Sequence, residues 1–243
     1  MIFYVILAIA VTIGLVWLVD KFIPSKFRPI VMVVLWVIIG FLAYNTFMSV
    51  YMPIQFNTEK NKRYAKVIES LEDIRDAQLA HRQVTGKFAG NFDGLVKFID
   101  TAKFTITQRR DSTVIDEEAN RRFGLNSMTK EIVVIDTLDF VSIKDSLFGA
   151  DPRYKTMMNV PVGEEGAKFD LKAGFLEQND IKIPVFEASV KKAVILFDQD
   201  KDLINAENQV VSVEGVNGDA LKVGSMDEVN TNGNWPKVYG TND

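Results

Sequence analysis

The chain contains no cysteine and a single histidine in 243 residues. The first absence excludes a disulfide framework, a lipoprotein cysteine and thiolate metal sites. The second leaves any zinc or iron site to rest on carboxylates. Charge is missing from two long stretches, "IFYVILAIAVTIGLVWLV" (2–19) and "IVMVVLWVIIGFLAYNTFMSVY" (30–51), neither of which holds Asp, Glu, Lys, Arg or His. Such segments carry no proton relay or voltage sensor of their own. An excess of basic residues is also missing. Residues 1–56 carry Lys21, Lys26 and Arg28 against Asp20, so of 28 bases and 32 acids in the chain, 25 and 31 lie beyond them. A domain with a net charge of −6 is poorly suited to nucleic acid, where affinity comes from clustered Lys and Arg.

What is present begins with the two apolar runs. A bilayer core takes about 20 apolar residues at 1.5 Å each, a length the second run meets and the first nearly meets. The first is not read as a cleaved signal peptide. It lacks a basic leading region, its apolar part is too long, and the next segment is itself a span. The expectation is a two-helix transmembrane hairpin in membrane lipid. Between the spans, "DKFIPSKFRP" (20–29) holds three bases and one acid, and basic residues in short loops stay cytoplasmic. The cluster Lys60, Lys62, Arg63 and Lys66 pulls the other way, but long domains translocate largely regardless of charge. The predicted location is the bacterial inner membrane, with the C-terminal domain periplasmic.

Residues 57–85, "NTEKNKRYAKVIESLEDIRDAQLAHRQVT", hold neither proline nor glycine. Tyr64, Leu71 and Gln78 fall on one heptad seam and Val67, Ile74 and His81 on the other. Two outcomes stay open for this stem: packing on its own domain, or packing against stems of neighbouring subunits. The second makes Tyr64, Val67, Leu71 and Ile74 an interface in a homo-oligomer or with other envelope-complex subunits. His81 is read as a packing or surface residue. Gly86 then ends the helix by supplying positive φ, and Phe92, Leu95, Val96 and Ile99 follow at helical spacing. The stretch "AQLAHRQVTGKF" after a membrane helix is similar to the region beyond the anchor in type II secretion pseudopilins. The prepilin processing site of those proteins is absent here.

From residue 104 onward the composition favours strands. Strands are predicted at 131–143, 168–175, 181–190, 193–198 and 209–216. A hairpin turns at "EQND", "AVILF" forms the buried central strand, and Pro184 places its strand at an edge or bulge. The predicted fold class is α+β. It comprises a transmembrane hairpin (1–56), a helical stem (57–103) and a mostly antiparallel, β-rich extracytoplasmic domain (104–243).

Chemistry is sparse. "DQDKD" (Asp198, Asp200, Asp202) starts like a calcium loop, but Leu203 and Gln209 stand where glycine and glutamate are required. "VGEEGAKF" lacks the spacing of a phosphate loop. No catalytic residue, cofactor or metal site is predicted, and the chain is not read as an enzyme. The segment 221–240 carries Gly224, Ser225, Glu228, Val229, Gly233, Asn234, Trp235, Pro236 and Tyr239. It resembles the ending of uncharacterised membrane-anchored proteins of Bacteroidota, a resemblance that brings no activity. Trp235 is either a lid over the core or, if exposed, a partner-binding anchor. The predicted function is a non-catalytic structural or assembly subunit of a cell-envelope complex serving secretion, motility or surface assembly. The alternative is an exported ligand-binding or sensory module.

Overall fold

The structure, a computed structural model, describes residues 12–14, 16, 17, 21, 24, 27–124, 129–237 and 239. Most of the first predicted span (2–19) and of the loop after it lies outside the described residues, although residues 12–14, 16 and 17 are helical. What is seen is therefore one long apolar helix rather than a hairpin. The chain divides into two compact units, 1–57 and 58–243.

The second predicted span and the stem form a single 58-residue helix, α1 (Arg28–Thr85). Among the described residues it is the one helix long and apolar enough to cross a membrane, with a mean hydropathy of 2.2 in its apolar window and none of that window buried. Its polar side chains turn back on its own backbone. Asn45 donates to the Phe41 carbonyl at 2.9 Å, and Thr46 to the Leu42 carbonyl at 2.8 Å. Such self-satisfaction is what an apolar solvent demands. Pro53 gives up one backbone hydrogen bond without ending the helix.

Beyond residue 57 the same helix changes its role. Tyr64, Val67, Ile68, Leu71, Ile74, Ala77 and Gln78 are fully buried at three- and four-residue spacing, one continuous stripe on a 3.6-residue repeat. Gly86 stops the helix at φ +78°, its amide donating to the Arg82 carbonyl. The turn folds back, and the Gln78 amide group exchanges two 2.8 Å hydrogen bonds with the Ala89 backbone. Helix α2 (Phe92–Thr101) starts at Asn91, whose side chain accepts from the Gly94 amide, and buries Leu95 and Ile99.

Two antiparallel sheets follow. The first pairs β1 (Lys103–Ile115) with β2 (Thr129–Ser142), joined through α3 (Glu117–Phe123), with a bulge that leaves Leu138 without a counterpart. After the short helix α4 (Ile143–Leu147) and a 3-10 turn (Pro152–Thr156) comes the second sheet. It orders β3 (Asp170–Gln178), β4 (Ile181–Lys191) and β5 (Ala220–Gly224) with β4 in the centre. The predicted α+β class and antiparallel pairing hold. So do the strands predicted at 131–143, 168–175 and 181–190 and the tight turn between the last two, where Asn179 and Asp180 take positive φ.

Three expectations are corrected. "AVILF" is not a central strand. Residues Lys192–Ile195 form one helical turn, α5, that buries Ile195 and Leu196, because an apolar run of this length reads equally as helix or strand. Residues 209–216 form turns, with the Ser212 amide taken by the Asn217 side chain at 2.8 Å and Val211 and Val213 exposed. Side-chain capture of the backbone outcompetes β propensity there. Pro184 lies in the central strand. The neighbour β5 pairs only with residues 187–191 of β4, so at Pro184 the ladder has a partner on one side alone.

Gly224 ends β5 at φ +75°, and a Cβ there would lie 2.3 Å from the Phe186 carbonyl oxygen. Gly166 has a similar φ of +76° with nothing within 4 Å. Backbone strain alone costs about 1–3 kcal/mol at such positions. Gly166→Ala should stay within that range, while Gly224→Ala should exceed it. Urea unfolding midpoints of the two variants make the comparison.

Candidate functional site

The most unusual chemistry of unit 58–243 lies where β4 ends. Lys192 opens the turn α5 with its backbone amide on the Asp219 carbonyl, and its side chain has no exposure at all. Its ammonium donates to the Glu207 carbonyl at 2.8 Å, the Val216 carbonyl at 2.8 Å and Glu207 Oε1 at 3.3 Å. These three acceptors use all three of its donors. Burial pulls the Lys192 pKa down, opposed by the charge of Glu207. Glu207 itself is placed by α6 (Lys201–Asn208), a helix capped by Asp200, whose carboxylate accepts from the amides of Asp202 and Leu203.

Glu207 reaches the stem. Its Oε2 accepts from Lys60 at 2.8 Å, and the Tyr64 hydroxyl donates to Oε1 at 3.5 Å. Burial and the neighbouring carboxylate raise the Tyr64 pKa. One turn away, Arg63 holds Asp198 through two nitrogens at 2.6 and 2.9 Å, Glu59 at 2.8 Å and the Ile195 carbonyl at 2.9 Å. The bidentate contact holds the Asp198 carboxyl down at about 2. Further along the stem, Arg153 grips Asp73 with two hydrogen bonds of 2.8 and 3.0 Å.

The C-terminal segment closes the same region. The Gly224 amide donates to the Asn232 carbonyl, and the Asn234 amide to the Lys222 carbonyl, each at 3.0 Å. The Asn234 side chain continues the edge of β5, accepting from the Lys222 amide at 2.9 Å and donating to the Ala220 carbonyl at 2.8 Å. Trp235 is buried over Gly233, where a Cβ would come within 2.4 Å of the indole. The Tyr239 hydroxyl bonds Asn61 on the stem, and its ring meets Tyr64 edge to face at 6.2 Å. Gly224, Gly233, Asn234, Trp235 and Tyr239 therefore act as a clasp from sheet to stem.

The predicted interface residues Tyr64, Val67, Leu71 and Ile74 are fully buried within the chain's own unit, and Trp235 is buried with them. They present no surface to a neighbour in the single chain, and at Tyr64 the covering groups are Glu207 and the Tyr239 ring. Of the two outcomes open for the stem, own-domain packing is the one adopted. Asp198, Asp200 and Asp202 do not converge: the first pairs with Arg63, the second caps α6 and the third sits in its first turn. His81 packs on Phe98 at 4.6 Å with Nδ1 2.6 Å from the Lys87 carbonyl oxygen. Sequence reasoning missed Lys192, Glu207 and Arg63. The one available signal was Lys191-Lys192 leading directly into an apolar run.

A saturated ammonium has no free lone pair, and both Glu207 oxygens are engaged. Among the described residues, no group of three or more His, Asp or Glu could hold a metal ion. A cleft of about 250 Å³ opens beside Arg63, lined by Glu59, Lys62, Lys66, Val162, Gly163 and Phe197. A second, of about 230 Å³, lies among the C-terminal turns. No known protein family, curated protein or solved structure matches the chain, so the geometry alone bears on function.

Losing the Lys192 ammonium leaves Glu207 with Lys60 but strands the buried Glu207 and Val216 carbonyls, at about 1–3 kcal/mol each. Lys192→Met should lose about that much stability. Combining it with Glu207→Gln should cost less than the sum of the two single changes, by about 0.5–3 kcal/mol of coupling, read from denaturant unfolding of all four proteins. The Asp198 pKa falls from 3.8 to about 2 on folding. Its contribution to stability is therefore complete above pH 3.8 and is lost as pH falls through about 2. Arg63→Met should flatten the stability profile across that acid window, which thermal melting at a series of pH values will reveal.

Proposed function

We propose that this chain is a non-catalytic structural or assembly subunit of a bacterial cell-envelope complex. In this reading it is anchored in the inner membrane with unit 58–243 on the periplasmic side. The observation that carries the reading is α1. One helix supplies both an exposed apolar segment long enough to enter a bilayer and the central core element of the outer unit. Anchor and domain are then parts of one element, as suits a subunit that holds a place in an assembly.

Two further points favour scaffolding over chemistry or ligand capture. Lys60, Arg63 and Asp73 on the stem and Lys192 beside it are taken up by internal ion pairs. The cleft beside Arg63 and the one among the C-terminal turns are each smaller than the roughly 300–1,000 Å³ of typical small-molecule sites, while a wider groove of about 600 Å³ lies on the exposed apolar part of α1 at Ala43, Phe47, Val50 and Ile54. The basic loop 20–29 supports the orientation, since such loops stay cytoplasmic. A loop of ten residues is also too short to be the output domain of a sensor.

Mild detergent extraction from the native membrane tests the role. Other envelope proteins should co-purify in fixed stoichiometry, whereas a lone chain with a small molecule in either cleft would overturn it. Protease added to intact spheroplasts should digest unit 58–243. Digestion only after the membrane is broken would reverse the orientation.

A further inference from the structure

The β1–β2 ribbon is built differently from the rest of unit 58–243. Its strands have 13 and 14 residues, more than twice the usual strand length. They form a two-stranded sheet, so each strand has one neighbour and one open edge. A lone two-stranded ribbon is marginal in water, and long open edges are templates for further pairing. Neither strand contains proline, the residue that most simply blocks an edge. Register places Ile115, Val133, Ile135 and Phe140 on one face, and all are exposed, with Ile135 at 65%.

The two strands carry opposite charge, and within the single ribbon Arg110 already pairs with Asp136 at 3.1 Å. β1 holds Lys103, Arg109 and Arg110 against Asp111, while β2 holds Glu131, Asp136 and Asp139 against Lys130. Pairing β1 with another β1, or β2 with another β2, would bring like charges together, which is destabilising across strands. Pairing β2 of one copy with β1 of the next matches acidic with basic. It is also the pairing that geometry allows for copies standing the same way up. β1 and β2 run antiparallel, so β2 also runs antiparallel to the β1 of a neighbour in the same orientation. That shared orientation rests on the anchored reading given above.

We propose that the ribbon is an oligomerisation arm whose partner is a second copy of this chain. The arms join edge to edge, β1–β2–β1–β2, into one antiparallel sheet running through neighbouring subunits. The interface is heterologous, using two different edges, so it propagates beyond a dimer and closes as a ring or continues as an array. Each junction supplies Val133, Ile135 and Phe140 with a second cross-strand neighbour, beside the Asp111, Arg109 and Thr105 that oppose them in the single chain.

Charge exchange in the full-length protein, in detergent micelles or lipid nanodiscs, tests this. Light scattering should show more than two copies per particle for the wild type. Arg109→Glu with Arg110→Glu on β1 should reduce the particle at least twofold in mass, as should Asp136→Lys with Asp139→Lys on β2. All four changes in one chain should restore assembly. Mixing the two double variants should restore it as well, because each then offers the other a complementary edge. The mixture separates pairing between copies from pairing within one chain, since a ribbon weakened only internally gains nothing from a second variant. A monomeric wild type, double variants of unchanged mass, or a mixture that stays dissociated would each overturn the proposal. A monomeric wild type that still co-purifies with other envelope proteins would sink the arm while leaving the assembly role standing.

Discussion

The buried ammonium of Lys192 is the constraint on which unit 58–243 depends. An ion removed from water costs several kcal/mol unless its partners are in place, and its three acceptors come from two separate segments, at Glu207 and Val216. Because Glu207 also takes the stem's Lys60 and Tyr64, satisfying one nitrogen fixes the end of β4, helix α6, the turn before β5 and the stem together. Apolar packing along Val67, Leu71 and Ile74 supplies most of the driving force. The ion network selects which elements may pack there, since any slip of α6 along the stem would leave a charge unpaired.

The clasp at the C-terminus completes the same arrangement from the opposite end of the chain. Asn234 provides β5 with the edge partners that a five-residue strand otherwise lacks, and Tyr239 returns to the stem beside Tyr64. The Gly-Asn-Trp-Pro stretch therefore has a structural explanation in every position the structure describes as bonded or buried. Its glycine lies under the indole, its asparagine seals an edge and its tryptophan caps the core. Against this densely bonded centre, the β1–β2 ribbon stands out for its open hydrogen-bonding edges and the exposed Ile115, Val133, Ile135 and Phe140.

Much of the architecture was legible because it follows local periodicity. The apolar segment of α1, the buried stripe at Tyr64, Val67, Leu71 and Ile74, the stop at Gly86, the helix carrying Leu95 and Ile99, and the β3–β4 hairpin all repeat at 3.6 or 2 residues or turn at residues suited to positive φ. Misreadings occurred where a short segment has no period of its own. The run "AVILF" could be helix or strand, and the adjoining Lys192 decided in favour of a turn that lets its side chain reach inward. Residues 209–216 have strand-forming side chains but no strand beside them. β5 was hidden in a polar, turn-rich ending because its partner, β4, lies some thirty residues earlier.

The sequence by itself determined that the chain carries a membrane-length apolar helix, continues it as an amphipathic stem and follows it with antiparallel strands. Hydrophobic length and spacing are properties of neighbouring residues, and they act before any tertiary contact forms. Only the tertiary structure decided what the stem's apolar seam touches, because a seam of that composition fits a neighbouring stem and the chain's own core equally well. The choice is marked by Arg63, Lys60, Asp198 and Glu207, groups up to 147 residues apart that pair with one another, of which Glu207 is buried. Long-range electrostatic matching leaves no local pattern, and so it became visible only once the chain had folded.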